Sequence, residues 1–150
     1  MKRYIRANKL SDKSSDVQLE LAKNPNISED ELEELICDGS DWYKVRHALA
    51  RNPKMTTELL HQLVLTEHNL DVFNTVVRNS KTSAADLRRI AKKLLDKDDG
   101  WHTLAILAIH PNVPSDVLEV LKHSKNSSVR NSANTSPERR EMYFEHYKVN

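Results

Sequence analysis

The chain has 150 residues, of which 30% are charged and 38% hydrophobic, and its formal net charge is +1. That length suits one domain burying roughly two-thirds of the surface its unfolded chain exposes. A net charge so near zero disfavours the uniform basic field of a protein that coats nucleic acid. No apolar run reaches the roughly 18 residues that span a bilayer, and no signal-like apolar stretch follows the basic Lys2, Arg3 and Arg6. The expectation is a cytoplasmic chain with no membrane partner.

Taken in chain order, residues 1–14 are polar and basic, with Tyr4, Ile5 and Leu10 their only large apolar groups. They are expected to form a basic N-terminal arm or a capping segment ahead of one helical-repeat domain over residues 15–150. Val17, Leu21 and Ala22 then space a short helix with one buried stripe. It is ended at Asn24-Pro25, because proline pushes the residue before it out of the helical region. Ser28 with Glu31 has the spacing of a capping box and starts a second helix carrying Leu32, Leu35 and Ile36. Cys37, the only cysteine, can make neither an internal disulfide nor a thiolate metal site alone, and is expected as a small buried hydrophobe at that helix's end.

The pattern then repeats. Val45, Ala48, Leu49 and Ala50 lead to Asn52-Pro53, and Thr56 with Glu58 opens a helix bearing Leu59, Leu60, Leu63 and Val64. Val72 leads to Asn79-Ser80, and Ser83 with Asp86 opens Leu87, Ile90, Ala91 and Leu94. Thr103 leads to His110-Pro111, and Ser115 with Asp116 opens Val117, Leu118 and Leu121. Val129 leads to Ser136-Pro137, where Ser136 and a first-turn proline predict a C-terminal capping helix over about 137–148. Its Arg140, Tyr143, Phe144 and Tyr147 share a face, and the aromatics are expected to close the end of the core. The position of the proline recurs at intervals of 28, 27, 31 and 26 residues. Self-similarity at such a period is the signature of stacked repeats, since one helix pair cannot bury its apolar stripe alone. The fold class expected is all-α, a right-handed α-solenoid of about five two-helix repeats. The only glycines, Gly39 and Gly100, each precede a first helix, where a sharp connection is expected.

The run Val-Arg-x-x-(Leu/Val)-Ala-x-Asn-Pro, followed by a hydroxyl residue or proline and Leu-x-x-Leu, resembles the leucine-rich repeat variant family, HEAT-like bacterial α-solenoid repeats. Residues 45–64 match best, 15–36 next, and 101–121 keep Pro111 and Pro114. The family's own repeats are shorter. Asn79-Ser80 and His110-Pro111 depart from the Asn-Pro pair and leave the helix endings there open. The resemblance implies a fold and no general activity. The founding member's iron–sulphur cluster needs several cysteines, so none is expected on Cys37 alone.

Little here suits catalysis. Two distant glycines cannot build a phosphate-cradling loop. The seven histidines are scattered, and the expectation is that they lie on the surface. The segment Asp96–Trp101 fails as a calcium loop, having its glycine one place early and Leu107 where a glutamate is needed. No catalytic, cofactor or metal residue is expected. Charge is segregated along the chain: seven acids and no Lys or Arg over residues 26–41, and seven bases against Asp86 and Asp96 over residues 78–97. The function expected is a non-enzymatic scaffold binding another protein through its curved surface, with Trp42, Tyr43, Arg46, Trp101, His102 and Arg130 as partner-binding candidates. Arg46 and Arg130 are weighed against a structural role bridging to an acid of the next unit. The alternative is nucleic-acid binding through the basic patch Arg78, Lys81, Arg88, Arg89, Lys92 and Lys93.

Overall fold

The structure, a computed structural model, describes residues 9–37 and 42–149. These residues are all-α. Two helices make up each unit: α1 (Ser15–Lys23) with α2 (Glu29–Cys37), α3 (Tyr43–Arg51) with α4 (Thr57–Thr66), and α5 (Leu70–Val77) with α6 (Ala84–Leu94). There follow α7 (Trp101–Ala108) with α8 (Ser115–Leu121), and α9 (Ser127–Ala133) with α10 (Pro137–Tyr147). Single 3-10 turns at Leu10–Asp12 and Asp98–Gly100 precede α1 and α7. The longest of these helices has 11 residues. Isolated helices so short are marginal in water, so packing must hold them.

The packing follows chain order. Among first helices, α1 packs on α3, α3 on α5, α5 on α7, and α7 on α9; among second helices, α2 packs on α4 and α4 on α6. One apolar cluster runs from Ala22 to Ala133 through Leu32, Leu49, Leu60, Val76, Ile90 and Leu107. The valine that opens each phrase is buried in later units (Val45, Val72 and Val129, with Thr103 in the fourth), but Val17 is 45% exposed. Its place inside goes to Gln18, whose amide nitrogen donates to the carbonyls of Leu10 (3.0 Å) and Lys13 (3.3 Å). The expected stripe of α1 is thus corrected by one position, at the unit that has no described first helix before it. The N-terminal segment is docked from Leu10 onward, its backbone N–H donating to Glu34 Oε1 at 2.7 Å. The expectations for Tyr4, Ile5 and Gly39 lie outside the described residues.

Helix starts show the side-chain caps that the sequence predicts, with informative variations. Ser28 and Glu31 form a reciprocal capping box, each side chain accepting from the other's backbone N–H at 3.2 and 3.0 Å. Thr56 Oγ1 accepts from Leu59 N (3.2 Å) and Ser83 Oγ from Asp86 N (3.2 Å). Asp86 does not reach back to the backbone of Ser83. Its carboxylate accepts from Ser83 Oγ (2.9 Å) and meets His61 Nδ1 of α4 at 2.8 Å, tying neighbouring second helices together. In the fourth unit the cap position is Pro114, and Ser115 is the first helical residue, so the expected hydroxyl cap is absent there.

Two further expectations, for Cys37 and for α10, are corrected, and Gly100 acquires a steric reason. Cys37 is exposed, and its thiol donates to Gln62 Oε1 at 3.4 Å. Gly100 has an ordinary φ of −78°; it is glycine because a Cβ would lie 3.0 Å from the carbonyl oxygen of Leu94 and 3.1 Å from its Cβ. In α10 only Phe144 is buried, whereas Tyr143 and Tyr147 are 46% and 39% exposed. Phe144 packs edge-on against the His110 ring at 4.6 Å, so the aromatics do not jointly close the core.

The first helices are fastened where the repeated phrase ends. Asn52 Nδ2 donates back to the carbonyls of Ala22 (2.7 Å) and Asn24 (3.0 Å), while its Oδ1 accepts from Lys54 N (2.9 Å). Asn79 does the same one unit on, with Ala50 (3.2 Å) and Lys81 N (3.0 Å). His110 takes the third rung. Its Nδ1 accepts from Asn112 N (2.9 Å), which leaves the proton on Nε2 to donate to the carbonyl of Asn79 at 3.0 Å. The imidazole thus presents an acceptor and a donor where asparagine presents Oδ1 and Nδ2. Neither Asn79-Ser80 nor His110-Pro111 interrupts the series. Each rung is at most 2% exposed, where an unpaired polar group would cost about 1–3 kcal/mol.

Candidate binding cleft

The side of the first helices carries a cleft of about 700 Å³. Three successive helices supply its walls: Leu19 and Lys23 from α1; Tyr43, Lys44, His47, Ala48 and Arg51 from α3; Asp71, Asn74, Thr75 and Arg78 from α5 and its end. Those residues recur three or four apart along each helix, so each set lies on one face. The rungs at Asn52 and Asn79 hold the three helices in register at one end.

Four cations and one carboxylate line the cleft. Lys23 Nζ lies 3.4 Å from Glu20 Oε1, and Lys44 Nζ sits 5.3 Å from the centre of the Trp42 ring. Arg78 Nε donates to the carbonyl of Tyr147 at 2.8 Å, and Val149 N donates to the carbonyl of Arg78 at 2.8 Å. The extended segment after α10 is therefore pinned to the cleft's rim. Burial and the Arg51 charge hold His47 below its ordinary pKa; Asp71 opposes that shift and Arg78 adds to it. Thr75 Oγ1 is spent on the carbonyl of Asp71 (3.0 Å). Asn74 Nδ2 donates to Thr103 Oγ1 (3.3 Å), leaving its carbonyl oxygen to accept.

Of the partner-binding candidates, the cleft gathers only Tyr43. Trp42 is half-buried at the start of α3. Trp101 and His102 stand exposed at the start of α7, edge to face at 5.6 Å. Arg46 instead grips the buried Glu67, Nε to Oε2 at 2.7 Å, while Glu67 Oε1 accepts from His68 N and Asn69 N. That pair fastens α3 to the connection between α4 and α5. Arg130 donates to the carbonyls of Ser124 and Lys125 at 2.7 and 2.8 Å, bracing its own loop.

The basic patch does not come together as one surface. Arg78 lines the cleft, and Lys81 Nζ is bound to the carbonyls of Pro53 and Met55. Lys93 Nζ donates to the carbonyl of Glu67 at 3.0 Å and lies over Phe73. Arg88 makes a bidentate pair with Asp116 at 2.9 Å, which holds that carboxyl below its usual range. Arg89 and Lys92 remain exposed on α6. On the acidic side, Glu31 and Glu34 are occupied by the contacts already given, and Asp38 and Asp41 lie outside the described residues.

Lys23, Lys44, His47, Arg51, Asp71 and Asn74 were not among the sequence candidates. A signal for three of the cleft's cations does exist: the dipeptides Lys23-Asn24, Arg51-Asn52 and Arg78-Asn79 recur at intervals of 28 and 27 residues. Among the described residues no cluster of three metal-ligating side chains forms, and no helix is long and apolar enough to cross a membrane. Set against protein-family models, curated proteins and solved structures, the chain matches none of them.

Proposed function

We propose that this chain is a right-handed α-solenoid of five stacked two-helix units, akin to leucine-rich repeat variant repeats, and that it binds a segment of another protein without catalysing a reaction. The observation carrying this reading is the cleft across α1, α3 and α5, held in register by buried rungs. The successive packing of first helices and the continuous core support the stacked arrangement. A cleft of about 700 Å³ is within the range that takes a small ligand or a few side chains. Because its walls are preformed, binding there spends little on ordering the protein. The lining combines four cations and one carboxylate with the apolar faces of Leu19, Tyr43 and Ala48, a mixture that supports binding.

Panning a random-peptide display library on the wild type and on His47→Trp, which fills the middle of the cleft, tests this. Peptides enriched on the wild type are expected to lose binding to His47→Trp while its helical circular dichroism is unchanged. Recovery of no peptide, or of peptides that bind both proteins equally, overturns the reading.

A further inference from the structure

We infer that the occupant of the cleft is an acidic, extended polypeptide segment, with carboxylates about three residues apart; this rests on the cleft reading above. The residue before the asparagine that closes each first helix is a cation in the first three units: Lys23 before Asn24, Arg51 before Asn52 and Arg78 before Asn79. The rungs pin the ends of α1, α3 and α5 together, so these cations are set one helix apart along a common cleft. Neighbouring helix axes lie roughly 8–10 Å apart, a distance that an extended chain covers in about three residues. In the fourth unit the equivalent position is Ile109, which is buried. Its neighbour His110 carries Phe144 of α10, so the cationic row stops where α10 packs.

Cations in a helix's last turn are favoured by the helix dipole alone, and that accounts for Lys23 and Arg51 taken singly. It does not account for Lys44. That lysine stands in the first turn of α3, where the dipole disfavours a cation and the turn itself contains no acid. Asp71, the one acid in the lining, is in the first turn of α5 and has the dipole's support. The charge of the cleft therefore runs beyond what its helices ask for, and complements a polyanion.

Two observations favour polypeptide over nucleic acid. Asp71 repels a phosphodiester, which carries no backbone donor, whereas a peptide's N–H groups can be accepted by Asp71 and by the free carbonyl of Asn74. The rim already holds an extended polypeptide: Tyr147 and Val149 bracket Arg78 with backbone hydrogen bonds, accepting from its guanidinium and donating to its carbonyl.

The test is fluorescence polarisation with a labelled peptide of about twelve residues bearing Glu at every third position, against its Gln counterpart. The Glu peptide is expected to bind at least about tenfold tighter, and to weaken as NaCl rises from about 50 to about 300 mM. Lys44→Glu and Arg51→Glu should each lower its affinity by roughly fivefold or more, with Arg89→Glu, outside the cleft on α6, leaving it unchanged. Equal binding of the two peptides, equal loss on Arg89→Glu, or tighter binding of a single-stranded oligonucleotide that is lost in the same variants overturns the inference. If the Gln peptide binds equally and is displaced by His47→Trp, the acidic assignment fails and the cleft reading stands. If neither peptide binds and panning recovers none, both fail.

Discussion

His110 shows how one side chain can stand in for another when its atoms fall in the right places. Its two ring nitrogens reproduce the acceptor and donor of the asparagine rungs, and only the neutral ring can do so, because Nδ1 must accept from Asn112. Burial accordingly lowers its pKa to about 4. An unfolded histidine titrates near 6.5, so between those values the unfolded chain binds the proton and the folded one does not. Stability from this group is complete above about 6.5 and declines as the pH falls toward 4, by at most about 3 kcal/mol. Urea melts across that range should show the decline in the wild type and a shallower one in His110→Asn, which keeps the rung's two hydrogen-bonding groups. A decline of equal size in both proteins would place the acid sensitivity elsewhere. Sequence alone offered the expectation of scattered surface histidines. A buried histidine and an exposed one look alike until the neighbouring carbonyl is known.

At the scale of elements, the joints between helices depend on close approach as much as on caps. Gly100 illustrates the difference: its backbone is one that any residue adopts, and the constraint is the carbonyl of Leu94 facing it. Gly100→Ala should therefore cost about 1–3 kcal/mol through a forced shift of the α6–α7 connection, measured as a lowered thermal midpoint. An unchanged midpoint would mean that the joint relaxes freely. Arg46 and Glu67 form the corresponding joint between α3 and the α4–α5 connection. Glu67 is almost wholly buried, and removing its partner leaves a carboxylate held only by two backbone N–H groups. Arg46→Met is expected to destabilise by about 3 kcal/mol or more, and Arg46→Met with Glu67→Gln by less. Chemical denaturation of the single and double variants checks this. The helix pairs and most second-helix starts were legible from apolar spacing and hydroxyl-acid pairs, because those signals are local. Which arginine joins which acid was not, because Arg46 and Glu67 are 21 residues apart and meet only through packing.

Across the molecule, one apolar cluster links the units, so a defect at its middle should be felt more widely than one at its end. Leu60, fully buried in α4, belongs to that cluster; Phe144 touches the rung at His110 and lies outside it. Leu60→Ala is expected to cost 2–5 kcal/mol or so and to lower amide protection from α1 to α9. Phe144→Ala should lower it chiefly in α10 and near His110, and hydrogen exchange by residue separates the two patterns. The sequence by itself determined the helix pairs, their period and the polar residue that ends each first helix, because these follow from spacing along the chain. Tertiary structure alone decided what that polar residue does, that most of the basic patch is occupied internally, and that Lys23, Lys44, Arg51 and Arg78 line one cleft. Those outcomes depend on which carbonyls and carboxylates from distant units come within hydrogen-bonding reach, and separation along the chain carries no such information.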